Sequence, residues 1–204
     1  MLRARTIRLA ENLVQNSQCF DLAAHKTLQM IQEVELVSRG YRLYTNQEEL
    51  FLIHRSSALP PITRLEQSST LRRCSNLRAT LSASLTLASS SFHRTALSIT
   101  PFTTASLLRQ MHQVYNIDDT LPVEVPDAPS LADLKATCLA MHEKRRLVLC
   151  ALLAIHVEPF DAAWSTWRTV IHELSGLTRM LATFTNELTR ALEDEQGSIS
   201  RELR

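Results

Sequence analysis

The sequence predicts an all-α fold, an elongated antiparallel bundle of about four to six helices packed at shallow angles, and three observations lead there. Its 204 residues contain only three glycines, Gly40, Gly176 and Gly197, which leaves few sites for the positive-φ turns of a hairpin-rich β fold. Apolar residues recur at steps of three and four over long stretches, the period of an amphipathic helix. Thr63 with Glu66, and Ser130 with Asp133, stand just ahead of such stretches in the spacing of capping boxes. A chain of this length has enough surface to bury for one helical domain over 1–204.

The elements follow in order. Residues 4–16 form a short helix through Ile7, Leu9, Leu13 and Val14. A second spans about 21–39, with Asp21 as N-cap and Gly40 as its stop. Met30, Val34, Val37 and Tyr41 share a stripe beside Ile31 and are expected to be buried, while Glu35 and Arg39 form a surface i, i+4 pair. Residues 44–60 read as a loop, because Tyr44–Glu49 is polar and Pro60-Pro61 prevents ordinary helix continuation. A third helix is expected over about 64–97, carrying Cys74, Leu77, Leu81, Leu85, Ala88 and Phe92 on one face and Arg72 and Arg73 on the other. Hydroxyl residues crowd Thr80–Ser106 and weaken its far end, and Pro101 terminates it. A short helix resumes over 103–115 through Leu107, Leu108 and Met111.

The stretch 116–129 holds three prolines and four acids and reads as an exposed linker. Beyond it, Leu131, Leu134, Cys138, Met141, Val148, Leu152 and Ile155 align on one helical stripe. Arg145 interrupts that stripe and requires a partner or an exit to solvent. Pro159 ends this helix and Asp161 caps the last one, in which Trp164, Trp167, Ile171, Leu174, Leu181, Phe184 and Leu188 run on to about Glu195. The last two helices are expected to pair antiparallel.

Chemistry-bearing patterns are sparse. Lys and Arg total 22 against 21 Asp and Glu, so there is no long-range field to draw in nucleic acid, and any charged contact must be local. Gly-x-Gly-x-x-Gly, phosphate-loop, Gly-x-Ser-x-Gly and His-Glu-x-x-His spacings do not occur, so no enzyme, no catalytic or cofactor-binding residue and no small-molecule substrate is expected. Cys138 lies one turn before His142, a two-ligand metal reading. A core cysteine with a histidine at its edge outweighs it, since no second pair has matching spacing, and no metal is expected. His142-Glu143 and His172-Glu173 are the two His-Glu dipeptides. Cys19, Cys74, Cys138 and Cys150 read as buried thiols in a reducing compartment.

The basic clusters Arg72-Arg73 and Lys144-Arg145-Arg146 read as solvated helix faces ahead of contacts with lipid headgroups or an acidic partner, and Trp164 and Trp167 as core anchors ahead of a partner hot spot. The hydroxyl-rich stretch reads as a mobile segment ahead of a phosphorylation switch. The most apolar run, Leu147–Ile155, is nine residues, whereas a bilayer crossing takes about 20. The arginine-rich start lacks the apolar core of a secretory signal and leaves a weak mitochondrial-type signal as the minor alternative.

Two blocks stand out from this generic helical background: Leu28–Leu43 (LQMIQEVELVSRGYRL) and Leu59–Glu66 (LPPITRLE), continued by Arg72-Arg73-Cys74 and Leu77-Arg78. They resemble the opening of the cytosolic domain of fungal vezatin-like and peroxisome-inheritance proteins. That resemblance implies a myosin-binding adaptor at the cytosolic face of a membrane or organelle, such as the peroxisome. Its implied partner is the cargo-binding tail of a class V-type myosin, or a junctional myosin as in animal vezatin. In the family the domain follows a membrane-spanning hairpin, which does not precede Leu28 here. The expectation is therefore a fragment, a soluble paralogue, or a divergent member attached through a partner. No motif for the myosin contact carries over, so partner-binding residues stay unassigned. Two rival readings are a non-motor helical scaffold or self-associating regulator, and a helical enzyme using a His-Glu pair.

Overall fold

The computed structural model describes residues 2–38, 73–117, 129–156 and 162–202. They form five α-helices, α1 (Leu2–Ser38), α2 (Ser75–Ile99), α3 (Ala105–Val114), α4 (Leu131–Leu153) and α5 (Ala162–Glu202), with a 3₁₀ turn at Thr100–Phe102. The fold is all-α; the one β feature among the described residues is an isolated bridge between Thr103 and Ile155.

The two helices expected before Gly40 are one continuous helix of 37 residues. Asp21 is not an N-cap, because it lies mid-helix and spends its carboxylate on α4. The seam of α1 follows Ser17, Phe20, Ala24, Thr27, Ile31 and Glu35, a three-and-four alternation that keeps a single face inward. Ile31 is fully buried as expected, with Met30 and Val34 at its margin. Val37, by contrast, is 73% exposed, because the seam turns through Glu35 instead. Gly40, Tyr41, the loop 44–60 and the Thr63–Glu66 cap lie outside the described residues.

Glu35 is buried, not the surface residue its spacing from Arg39 suggests. Its side chain and that of Arg78 are each 2% exposed, and Arg78 Nη2 donates to Glu35 Oε1 at 3.0 Å. The same oxygen accepts the Arg73 backbone N–H at 2.9 Å. Arg78 Nε donates to the Arg73 carbonyl at 2.9 Å and its Nη1 to the Pro129 carbonyl at 3.1 Å. One guanidinium thus ties the end of α1 and the start of α2 to the residues that lead into α4. Pro129 itself is buried, so the expected linker is not exposed at this end; its residues 118–128 lie outside the described set.

The long helix expected from about 64 does not pass through Cys74. Cys74 has φ 56° and ψ 45°, a left-handed conformation unfavourable for a residue with a Cβ, and α2 begins only at Ser75. At its far end α2 stops at Ile99, where Pro101 opens the 3₁₀ turn. The chain then doubles back: Thr104 N donates to the Ala154 carbonyl at 3.0 Å, His156 N to the Phe102 carbonyl at 3.1 Å, and α3 returns along α4. The Ser130 capping box is formed as expected, with Asp133 N donating to Ser130 Oγ at 3.1 Å and Ser130 N to Asp133 Oδ2 at 2.8 Å. Asp161 lies outside the described residues, and α5 runs on to Glu202, past its expected end near Glu195.

Side-chain meetings fix the directions. Phe20 of α1 packs on Phe184 of α5 with ring centroids 6.4 Å apart, and Leu9 and Leu13 join the cluster of Val170 and Leu174, so α1 and α5 are parallel. Cys74 hydrogen-bonds Glu195 and Thr95 hydrogen-bonds Glu173, so α2 is antiparallel to α5. Arg145 of α4 bonds Asp21 of α1 through both carboxylate oxygens, at 2.7 and 2.8 Å, and its guanidinium stacks 5.5 Å from the Phe92 ring. This is the partner Arg145 needed. The last two helices run in opposite senses but do not pair along their length; α2 packs between them, and they approach around Ile99, Ala151, Val170 and Leu174.

Removing one partner of the buried pair strands the other. Arg78→Met is expected to lower stability by about 3–5 kcal/mol in urea denaturation, and a Glu35→Leu/Arg78→Met double variant to recover part of that loss. Ser130→Ala is expected to cost about 1 kcal/mol in the same assay by opening the capping box.

Candidate partner-binding surface

Two grooves open between helices on opposite flanks of α2. The first lies between α1 and α4, where Leu13, Val14, Val148, Leu149 and Leu152 border about 380 Å³ over the ring of Phe92. Its wall is mostly apolar, and of the two charged residues that line it Arg145 is paired with Asp21 and Arg146 is exposed.

The second, between α2 and α5, is larger, about 560 Å³. It exists because small residues face each other there: Ser90 and Ser91 on α2, Gly176 on α5, where an added Cβ would meet nothing within 4 Å. Leu177, Met180 and Phe184 form its apolar floor. Arg94 and His172, both exposed, stand on its rim. Glu173 also lines it, half-exposed, with Oε2 accepting the Thr95 hydroxyl at 3.0 Å, which holds its carboxylate against the α2 wall. Leu87 and Leu97 on α2 are 53% and 59% exposed.

Trp164 is 57% exposed rather than a core anchor. The seam of α5 enters through Thr166, Val170 and Leu174, which turns Trp164 outward and leaves Trp167 half-buried. The Arg168 guanidinium lies 5.5 Å from the centre of the Trp164 ring, one turn along the helix.

The remaining candidates separate. The basic run on α4 splits: Arg145 turns inward to Asp21, Lys144 is half-buried, and Arg146 is exposed, reaching the Tyr115 carbonyl at 3.3 Å. Arg73 is exposed and Arg72 lies outside the described residues. His142 sits on α4 and His172 on α5, with α2 between those helices, so the two His-Glu pairs do not converge. Burial lowers the pKa of His142, against the pull of Asp21 and with the push of Arg145 and Arg146. Among the described residues no three His, Cys, Asp or Glu side chains are grouped to hold a metal. Cys19 is exposed, contrary to the expectation of four buried thiols, while Cys74 and Cys150 are buried and Cys138 is half-buried.

Burial, reinforced by the hydrogen bond to Glu195, pushes the Cys74 thiol up to about 12, and burial with the Asp21 charge pushes Cys138 up to about 11. Alkylation by iodoacetamide at about pH 8 is therefore expected to modify Cys19 first and leave Cys74 and Cys138 intact until the chain unfolds, as peptide mapping would read. The unfolded chain gives up the Cys74 proton above 9.0 and the folded chain holds it to about 12, so this thiol makes stability fall as pH rises through that window.

No curated protein and no solved structure matches this chain. The vezatin family model, described as the myosin-binding motif of peroxisomes, matches residues 1–203. That span takes in the buried Glu35–Arg78 tie, all five helices and both grooves, well beyond the blocks around Leu28–Glu66, and the chain accordingly belongs to the vezatin family.

Proposed function

We propose that this chain is a myosin-binding adaptor domain, linking a membrane or organelle such as the peroxisome to a motor. The observation that carries the reading is the family match over residues 1–203, whose description is that of a myosin-binding motif. The physical design is compatible with such a role. Long helices, cross-tied by buried charge, offer extended grooves in which a partner helix can be received without any reacting centre. No described helix is long and apolar enough to cross a membrane. In this reading attachment to the cytosolic face comes from a partner or from further anchored chain.

A second reading, a helical scaffold that self-associates, is favoured by one observation: Ile7, Val14, Leu149 and Leu153 are all substantially exposed along α1 and α4. The immobilised domain is expected to retain a purified class V-type myosin cargo-binding tail in a pull-down. Failure to retain it, where an established cargo receptor succeeds in parallel, would remove the adaptor reading. A mass in light scattering that grows with concentration, with no tail retained, would favour the scaffold.

A further inference from the structure

We infer that the groove between α2 and α5 is a docking site for an acidic amphipathic helix. The occupant's apolar stripe would lie on Leu87, Met180 and Phe184, with its acidic flank along Arg94 and Arg168. The adaptor reading is needed only to name the motor tail as the source of that helix.

Charge decides the chemistry of the occupant. The protein as a whole is nearly neutral, yet α2 carries no Asp or Glu at all, and residues 162–186 of α5 carry only Glu173. That one acid is held in the wall by Thr95. Against it stand Arg94, Arg168 and Arg179, all exposed, and His172 on the rim. The balancing acids of α5, Glu187, Glu193, Asp194, Glu195 and Glu202, are displaced toward its other end. The α2 wall thus carries Arg94 and no acid, Arg168 and Arg179 on α5 outnumber Glu173, and the floor is apolar, a complement to a partner with acids flanking an apolar stripe.

Backbone accounting decides its conformation. Both walls are helices whose backbone groups bond within themselves, so they offer a peptide no ladder of donors and acceptors. A helix satisfies its own backbone and so can enter such a cleft with no ladder to pair with. From Leu87 to Arg94 the wall extends about 10 Å, roughly two turns of an incoming helix. Beyond Arg94 the surface continues through Leu97 on α2 and through Arg168 and Trp164 on α5, each one helical turn further on. Trp and Arg are the residue types that most often dominate binding energy at interfaces. An anionic membrane is the less favoured occupant: the feature is a cleft, and Arg94 on its lining together with Arg168 and Arg179 on α5 fall short of the about four to eight basic residues of a lipid-binding patch.

The test uses the full chain and a synthetic amphipathic helix with Leu at i, i+3, i+4 and i+7 and Glu on both flanks, read by fluorescence anisotropy and by Trp emission. A second peptide replaces every Glu with Lys. Arg94→Glu/Arg168→Glu is compared with Arg109→Glu/Arg190→Glu, which makes the same charge change at exposed sites elsewhere, and circular dichroism checks that both fold. The Glu peptide is expected to bind the wild type, to weaken at least about tenfold on the groove variant only, and to be replaced there by the Lys peptide. Equal binding of the Glu peptide to the groove variant and the wild type would overturn the proposal. So would a wild type that prefers the Lys peptide, or one that sediments with phosphatidylserine vesicles and ignores both peptides. A myosin tail lost on the groove variant alone identifies the tail as the occupant. A tail retained by that variant puts the motor contact elsewhere and overturns the motor assignment of the groove. A tail that never binds, beside a Glu peptide that does, removes the adaptor reading and leaves the groove's specificity standing.

Discussion

The buried pair of Glu35 and Arg78 is the constraint on which the arrangement turns. Hydrophobic seams alone would allow neighbouring helices to slide by a turn, since Leu, Ala and Phe at three-and-four spacing pack nearly as well in an adjacent register. An ion pair with both side chains 2% exposed does not allow it, because a slip would leave each charge desolvated and alone. Arg78 adds direction, since its planar fork is shared among a carboxylate and two backbone carbonyls contributed by Arg73 and Pro129. The strained conformation of Cys74 belongs to the same knot. It turns the chain so that the Arg73 N–H and C=O both face the pair, and its thiol meets Glu195 of α5.

A second tie, between Asp21 and Arg145, sits about four turns back along α1 and uses different physics. Asp21 and Arg145 remain a quarter to a third exposed, and the guanidinium is held by a bidentate bond on one side and the face of Phe92 on the other. Water screens such a pair, so its worth lies more in fixing the rotation of α4 against α1 than in net stability. Together the two ties set both register and rotation, and the grooves described on either flank of α2 are a consequence of that setting.

The local elements were legible in the sequence and the long-range ones were not. Periodicity found the helices of the second half, and the Ser130–Asp133 box marked its helix start to the residue, because both signals are local. Asp21 misled for the same reason: an acid ahead of an apolar stripe satisfies the rule for an N-cap, and only a partner 124 residues away shows another use for it. Glu35 likewise pointed to Arg39 by spacing and met Arg78 by folding. No rule of spacing forecasts a left-handed cysteine at 74. The exposure of Trp164 follows from a seam that chooses Thr166 and Val170, a choice that depends on what α1 presents to α5. The paucity of acids along α2 and the first half of α5 was visible from the start, but it gained meaning only when the fold placed those two stretches face to face.

The parallel course of α1 and α5 carries a mechanical consequence. The knot at Glu35, Cys74, Arg78 and Glu195 gathers the four long helices toward one end of the bundle, while Trp164 stands near the other end of a helix about 60 Å long. Tension between Trp164 and the knot would run along the axis of α5 and be spread as shear over its whole seam with α1 and α2. Many side chains must then yield together, whereas a pull across the axis would open the seam one contact at a time. For a domain of a family described by its attachment to motors, that is the orientation in which a helical bundle bears load best.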